Sequence, residues 1–404
     1  MATDFFSSDD QARQQGFMWW LLILGIILFS QPARAITVAA EQPAKYIPLL
    51  AKQRVGLVVN QSSRAFDQHL VDYLLTREVN VTAIFAPEHG FRGDKGAGEK
   101  IANQVDPHTG LPVFSLYGKT RKPSAEMLTE VDVLVFDIQD VGARFYTYIS
   151  TLHYVMEAAA ETGKTVVVLD RPNPNIMHID GPVLDPVFRS FVGMHPIPVL
   201  HGMTVGELAK MINGEGWLDT DKNVELHVIP VSDYSRQSEY QLPILPSPNL
   251  PNQQAILLYP SLCFFEPTIM SIGRGTAFPF QVLGHTDIKL GDFAFTPISM
   301  PSSAPTPKLQ DKKVKGLDLR LSDIRGIDLS LLVSAYQMAA AQQTPFFTST
   351  SFFDKLAGSD SLRLALESGL SAAEIEAEWR TAISEFKQQR QPYLLYPNRL
   401  REND

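Results

Sequence analysis

From Arg54 onward, continuous apolar runs alternate with stretches whose apolar residues recur at helical spacing. Val55-Gly-Leu-Val-Val-Asn60, Val81-Thr-Ala-Ile-Phe-Ala86, Val131-Asp-Val-Leu-Val-Phe-Asp137 and Thr165-Val-Val-Val-Leu-Asp170 each read as a strand. Runs with so few polar breaks belong in a sheet covered on both faces. Between them, Arg64 to Val79 places apolar residues at Ala65, Phe66, Leu70, Tyr73, Leu74 and Val79, which predicts an amphipathic helix. Tyr146 to Thr162 predicts another, stopped by Gly163. The alternation points to an α/β fold built on a parallel sheet.

The pattern changes after a proline-rich crossover between Tyr234 and Pro260 that includes Leu245-Pro-Ser-Pro-Asn-Leu-Pro251. A glycine-punctuated stretch, Gly273-Arg-Gly-Thr276, is followed by short strands and a late helix from Ser371 to Arg390. The expected organisation is an N-terminal sheet domain over 45–250 and a smaller α+β domain over 251–404, packed across the strand ends. Residues 302–315, rich in Pro, Ser and Lys, read as an exposed loop.

The N-terminus follows different rules. Phe17 to Phe29 is an apolar run of 13 residues, followed by Ala33-Arg34-Ala35. A short apolar core before a small-x-small site is the pattern of a secretory signal peptide, so residues 1–35 are expected to be cleaved after Ala35. The run falls short of the roughly 20 residues that span a bilayer. Asp4, Asp9 and Asp10 outnumber Arg13 ahead of it, against the usual positive start. An uncleaved anchor is therefore the alternative. Either way the protein is expected in the periplasm or secreted.

Composition narrows the chemistry. Of 404 residues, 45% are apolar and 20% charged, which excludes a disordered chain or a polytopic membrane protein. The net charge of −9, without a long basic run, argues against nucleic acid. Cys263 is the only cysteine, so an intrachain disulfide and a cysteine-clustered zinc site are both excluded.

Polar residues gather where the expected strands end: Asn60-Gln61-Ser62, Pro87-Glu88-His89-Gly90, Asp137-Ile-Gln139-Asp140 and Asp170-Arg171-Pro172-Asn173. In parallel sheets that edge forms the ligand crevice. Glu88, on a rigid turn between Pro87 and Gly90, is placed for acid catalysis, or it caps a helix or pairs with Arg92. Asp137 and Asp140 can flank a scissile glycosidic bond, hold a metal, or form turns. The histidines are scattered with no H-x-x-x-H spacing, so no metal is expected. Arg144 and Arg274 can each grip an anionic substrate group or serve in a structural ion pair. The chain lacks G-x-S-x-G, a G-x-G-x-x-G after the first strand, and a Walker A motif. Gly93-Asp-Lys-Gly96-Ala-Gly98 is glycine-rich but wrongly spaced.

Several segments together resemble the NamZ-type exo-β-N-acetylmuramidases, glycoside hydrolase family 171. They include Val58-Val-Asn-Gln-Ser62, Phe85-Ala-Pro-Glu-His-Gly-Phe-Arg-Gly93 and Phe136-Asp-Ile-Gln-Asp-Val-Gly-Ala-Arg-Phe-Tyr-Thr-Tyr148. Leu169-Asp-Arg-Pro-Asn-Pro174, His201-Gly-Met-Thr204, Pro246-Ser-Pro-Asn-Leu-Pro251, Tyr259-Pro-Ser-Leu262 and Ser271-Ile-Gly-Arg-Gly-Thr276 follow in the same order. The resemblance implies a Rossmann-like domain, a smaller C-terminal domain and an active-site cleft between them. It implies exo-hydrolysis of terminal non-reducing β-1,4-linked N-acetylmuramic acid from peptidoglycan fragments, without a cofactor. Those saccharides are the expected partners, with no membrane partner beyond export or an uncleaved anchor.

On this resemblance Glu88 leads the catalytic candidates, assisted by Asp137 or Asp140 or by the substrate's own acetamido group. The substrate contacts expected alongside are Asn60, His89, Arg92, Gln139, Arg144, Tyr146, Asp170, Arg171, Asn173, His201, Asn249 and Arg274. A non-catalytic muropeptide-binding protein and an esterase or amidase of the lactyl–peptide linkage are the competing readings.

Overall fold

The four apolar runs become the middle of a seven-stranded sheet. In chain order its strands are β1 (Val55–Val59), β2 (Val81–Ala86), β3 (Gln104–Val105), β4 (Pro112–Ser115), β5 (Val133–Asp137), β6 (Thr165–Leu169) and β7 (Glu225–Ile229). The computed structural model describes residues 35–87, 90–92, 104–118 and 120–399. The expected leader up to Arg34, Glu88-His89 and the Gly93–Gly98 run lie outside the described residues.

Across the sheet the order is β7-β6-β5-β1-β2-β4-β3, and only β3 against β4 runs antiparallel. The chain winds outward in both directions from β1, so the order reverses where β1 meets β5. In open α/β sheets the crevice outside the strand ends at such a reversal is the usual ligand site. The pairing of Val59 with Asp137 brings the ends of β1 and β5 level.

Alternate side chains of β1 serve opposite faces, as strand geometry requires. Leu57 and Val59 pack with α1 (Pro43–Leu50) and α2 (Leu70–Thr76), whereas Val58 packs with α3 (Tyr148–Thr162) and α4 (Val205–Gly214). The helix expected over 64–79 starts later. Arg64–Ala65 and Gln68–His69 form a small hairpin around Phe66, whose φ of 55° no helix tolerates, and His69 then caps α2. Helix α3 ends at Gly163 as expected. Helix α4, absent from the sequence reading, carries its own start signal in the reciprocal capping of Thr204 and Glu207.

The remainder contains α5 (Gln253–Leu262), the antiparallel strands β8 (Val282–His285), β9 (Phe293–Phe295) and β10 (Val314–Asp318), and helices α6 (Ser330–Ala341), α7 (Thr350–Ala357), α8 (Ser361–Glu367) and α9 (Ala372–Gln389). Helix α9 matches the expected late helix, with Ser371 and Glu374 closing its capping box. Val141, Ala143 and Phe145 from the sheet half share one apolar cluster with Leu258, Phe264 and Phe353. From Thr37 on, the chain packs as one compact unit. Residues 302–315 are only partly exposed, because Ala304 and Val314 are buried and Lys308 reaches the interior.

Candidate active site

At the reversal point the ends of β1 and β5 are stitched together. Asn60 Oδ1 accepts from the Ser62 amide at 2.9 Å and from its hydroxyl at 2.5 Å, and the Gln139 amide donates to Ser62 Oγ at 3.0 Å. Ser63 Oγ donates to the Asp137 carbonyl. Gln139 Nε2 donates to the carbonyls of Asp140 and Pro172 at 2.8 and 2.7 Å, joining β5 to β6. Asn60 Nδ2 is buried and has no hydrogen-bond partner among the described residues.

Asp140 follows in a tight turn. Its Oδ1 accepts from the Gly142 amide at 2.7 Å. Only glycine fits position 142, where φ is +79° and a Cβ would lie 2.0 Å from Asn173 Oδ1. Asp140 Oδ2 is buried and unpartnered among the described residues. Burial pushes the carboxyl up to about 7, although the Gly142 and Val141 amides oppose that shift. A carboxyl with this pKa holds a proton near neutrality and can release it.

Beside this turn the chain meets the proline-rich crossover. Tyr146 donates its hydroxyl to the Pro246 carbonyl at 2.9 Å, and Gln61 Nε2 reaches the same carbonyl at 3.2 Å. Tyr146 also lines a cavity of about 540 Å³, including its mouth open to solvent. One wall is Phe145, Tyr146, Thr147 and Tyr148, ahead of and at the start of α3. The crossover adds Ser247, Asn249 and Leu250, and the C-terminal half adds Tyr259, Arg274 and Phe280. Ring centroids lie 5.0 Å apart for Tyr146–Tyr148, 5.7 Å for Tyr146–Tyr259 and 5.0 Å for Tyr259–Phe280. Such faces suit the C–H surface of a sugar ring. Burial, with Tyr148, Tyr259 and Asp140 near it, keeps the Tyr146 hydroxyl protonated far above neutral pH.

Tyr146, Asn249 and Arg274 line this cavity, and Asp140, Asn60 and Gln139 belong to the strand ends joined to it. Of the other expected residues, those among the described ones make structural contacts. Asp137 was expected to assist water, but it is fully buried and paired with Arg171 at 2.5 and 2.8 Å. That pair, with Arg171 Nη2 also donating to the Arg64 carbonyl at 2.9 Å, fixes two strand ends. Asp170 accepts from Thr204 at 2.6 Å, Tyr396 at 2.5 Å and the Gly206 amide at 2.8 Å, which ties α4 and the C-terminal segment to β6. Asn173 spans Met203 O and the Asn175 amide.

Arg144 requires the largest correction. It is completely buried, and its guanidinium donates to the carbonyls of Pro182, Ile197, Leu356 and Ala357 at 2.6–3.0 Å. It therefore clamps the sheet half to the C-terminal end of α7, where a cation complements the helix dipole. Burial lowers its pKa to about 9, so it stays charged at neutral pH. His201 is also buried, accepts from the Met203 amide, and is pushed down to about 3 by burial and by the charges of Arg390 and Arg144. Arg92 pairs with Asp72 and Asp106. Glu88 and His89 lie outside the described residues.

The sequence reading missed Phe145, Thr147, Tyr148, Ser247, Leu250, Tyr259 and Phe280 as site residues. The signal was present in the aromatic run Phe145-Tyr-Thr-Tyr148 and in Ser247-Pro-Asn249, between prolines that hold an extended backbone. Among the described residues, His153, Glu157 and Asp219 bring ligand-type atoms within 4.8 Å of one another. Arg189 and Lys122 already neutralise that group, which lies away from the cavity lining.

Family models for the exo-β-N-acetylmuramidase NamZ match this chain over residues 55–254 for the N-terminal part and 257–396 for the C-terminal part. The chain belongs to the NamZ family. Its similarity to the peptidoglycan β-N-acetylmuramidase NamZ of Bacillus subtilis (strain 168) is 39% identity over 373 residues, covering 87% of this chain and 89% of that protein. Two crystal structures of DUF1343 family proteins from Bacteroides fragilis NCTC 9343 share the fold. One matches with a TM-score of 0.83 and 44% identity, covering 91% of this chain and all of the other. The second matches at 0.78 and 32%, covering 89% and 99%. The NamZ matches run through both the strand-end residues and the cavity-lining segments described above.

Proposed function

We propose that the chain is an exo-acting glycosidase that releases terminal non-reducing β-1,4-linked N-acetylmuramic acid from peptidoglycan fragments. The observation that carries this reading is the aromatic cavity beside the strand-end turn of Asp140, lined by the cation Arg274, with the buried, proton-holding Asp140 carboxyl near the lining residue Tyr146. Glycoside cleavage needs a proton for the departing oxygen and a carboxylate partner. The raised pKa of Asp140 suits it to hold that proton, with Glu88 of the Ala-Pro-Glu-His-Gly motif as its partner. The Asp137–Arg171 pairing removes Asp137 from this scheme.

Glu88→Gln is expected to fold with an unchanged melting temperature and to lose about 10²–10⁴-fold in turnover of a chromogenic β-muramoside. Near-normal turnover would take Glu88 out of the mechanism.

N-acetylmuramic acid carries a lactyl carboxylate that N-acetylglucosamine lacks, and Arg274 is the cation among the described lining residues suited to meet it. A charge-assisted contact of about 1.5–3 kcal/mol corresponds to roughly 10–100-fold in affinity. Arg274→Gln should therefore weaken inhibition by free N-acetylmuramic acid by that factor and leave N-acetylglucosamine unaffected. Equal losses for both sugars would reject the role.

The site of action follows from the substrate. We take residues 1–35 as an export leader that delivers the enzyme to the periplasm, where released muramic acid feeds cell-wall recycling. Among the described residues no helix is long and apolar enough to cross a membrane. Mass spectrometry of the mature N-terminus tests cleavage after Ala35.

A further inference from the structure

The cavity's cation does not stand alone. Arg274 lies between two glycines in left-handed conformation, with φ of 80° at Gly273 and 79° at Gly275. A Cβ at 275 would come within 2.5 Å of the Ile298 carbonyl, so the loop is pressed against its neighbours and the arginine has little freedom at its root. Its guanidinium lies 4.9 Å from the centre of the Phe280 ring. Glu266 Oε1 accepts from Arg274 Nε at 2.7 Å and lies 2.5 Å from Nη2. This grip uses the inner edge of the fork. The Nη1–Nη2 edge, which matches a carboxylate bidentately, is the one left for a ligand.

Glu266 is in turn held by its backbone. It follows the helical turn Cys263–Phe265 that extends α5. Lys308 Nζ donates to the carbonyls of Phe265 at 2.8 Å, Glu266 at 2.5 Å and Met270 at 3.4 Å. A cation at a helix C-terminus is favourable, and here it pins the segment that carries Glu266. Glu266 also balances the charge of Arg274 in a half-buried setting, where an uncompensated guanidinium would be costly.

We propose that Glu266 is a positioning residue that aims Arg274 and so sets the selectivity for a sugar bearing a carboxylate. The proposal rests on the reading that Arg274 meets the lactyl group. Glu266 itself does not touch the sugar, and Lys308 supports it from behind.

The test compares Glu266→Gln, Arg274→Gln and the double variant with wild type. Turnover of a chromogenic β-muramoside and competitive inhibition by free N-acetylmuramic acid and free N-acetylglucosamine are measured for each. Glu266→Gln should raise KM and the N-acetylmuramic acid inhibition constant about tenfold while kcat stays within about twofold. N-acetylglucosamine inhibition should not change. Glu266→Asp, which keeps the charge, should restore most of the loss, and Glu266→Gln should add nothing in the Arg274→Gln background. A Glu266→Gln variant that weakens both sugars alike, or neither, overturns the inference while a selective Arg274→Gln leaves the arginine's role standing. An Arg274→Gln variant that does not discriminate removes both readings together.

Discussion

At pH 8 the Asp140→Asn variant should melt higher than the wild-type protein and turn over substrate about 10²–10⁴-fold more slowly. Both effects come from the same burial. An aspartate in the unfolded chain titrates near 3.9, whereas Asp140 in the folded protein titrates at about 7. Between those values the folded state binds more protons than the unfolded state, so stability falls as pH rises. The cost is absent below about pH 4 and complete above about pH 7, where it amounts to about 4 kcal/mol. Asparagine keeps an oxygen for the Gly142 amide and avoids the buried charge. The two proteins should therefore have equal stability at pH 4 and diverge above it.

The wild-type kcat/KM should lose its protonated carboxyl on an alkaline limb near pH 7, and the variant should lack that limb. Thermal melts across pH, together with pH–rate profiles on a β-muramoside, check both parts. Wild-type turnover in Asp140→Asn would remove the residue from the reaction. A variant that melts lower at pH 8 would show that the carboxylate supports the fold.

Arg144→Met should have the largest effect on stability. The substitution takes the arginine donor from four buried carbonyls, of which Ile197 O keeps another backbone donor, the Leu184 amide at 3.2 Å. Each orphaned acceptor costs about 1–3 kcal/mol, so the sum takes a large share of the 5–15 kcal/mol typical of a folded domain. Urea titration should show a loss of several kcal/mol, and the protein that does fold should retain its preference for N-acetylmuramic acid over N-acetylglucosamine. Arg144→Lys keeps the charge but supplies three donors from one point, so it should recover only part of the loss. A stable Arg144→Met protein that had lost muramic acid selectivity would return this arginine to the binding site.

The contrast between Arg144 and Arg274 shows where sequence reasoning stops. Both stand in glycine-containing motifs, and both suit a carboxylate. Their surroundings assign them opposite tasks. One meets the ends of three remote segments and satisfies carbonyls, while the other meets Glu266 and a cavity. The same holds for the acids of Asp137-Ile-Gln139-Asp140. Strand alternation at the end of β5 does not reveal that Arg171 arrives after β6 to neutralise Asp137, or that among the described residues no cation pairs with Asp140.

The strands were legible because a sheet covered on both sides demands uninterrupted apolar runs, and such runs have few other uses. The late helix was legible because Ser371 and Glu374 announce its start locally. The gathering of polar residues at one sheet edge followed from chain direction alone. The hairpin that shortens α2, the edge strand β7 and the cavity's outer wall were not legible. They depend on a positive φ at Phe66, on pairing between distant segments, and on Tyr259, Arg274 and Phe280 folding back over the strand ends. Local propensity and periodicity record what each segment can bury. Which charge meets which partner is an energy between residues 8, 34 or more than 200 positions apart, and only the assembled tertiary structure decides it.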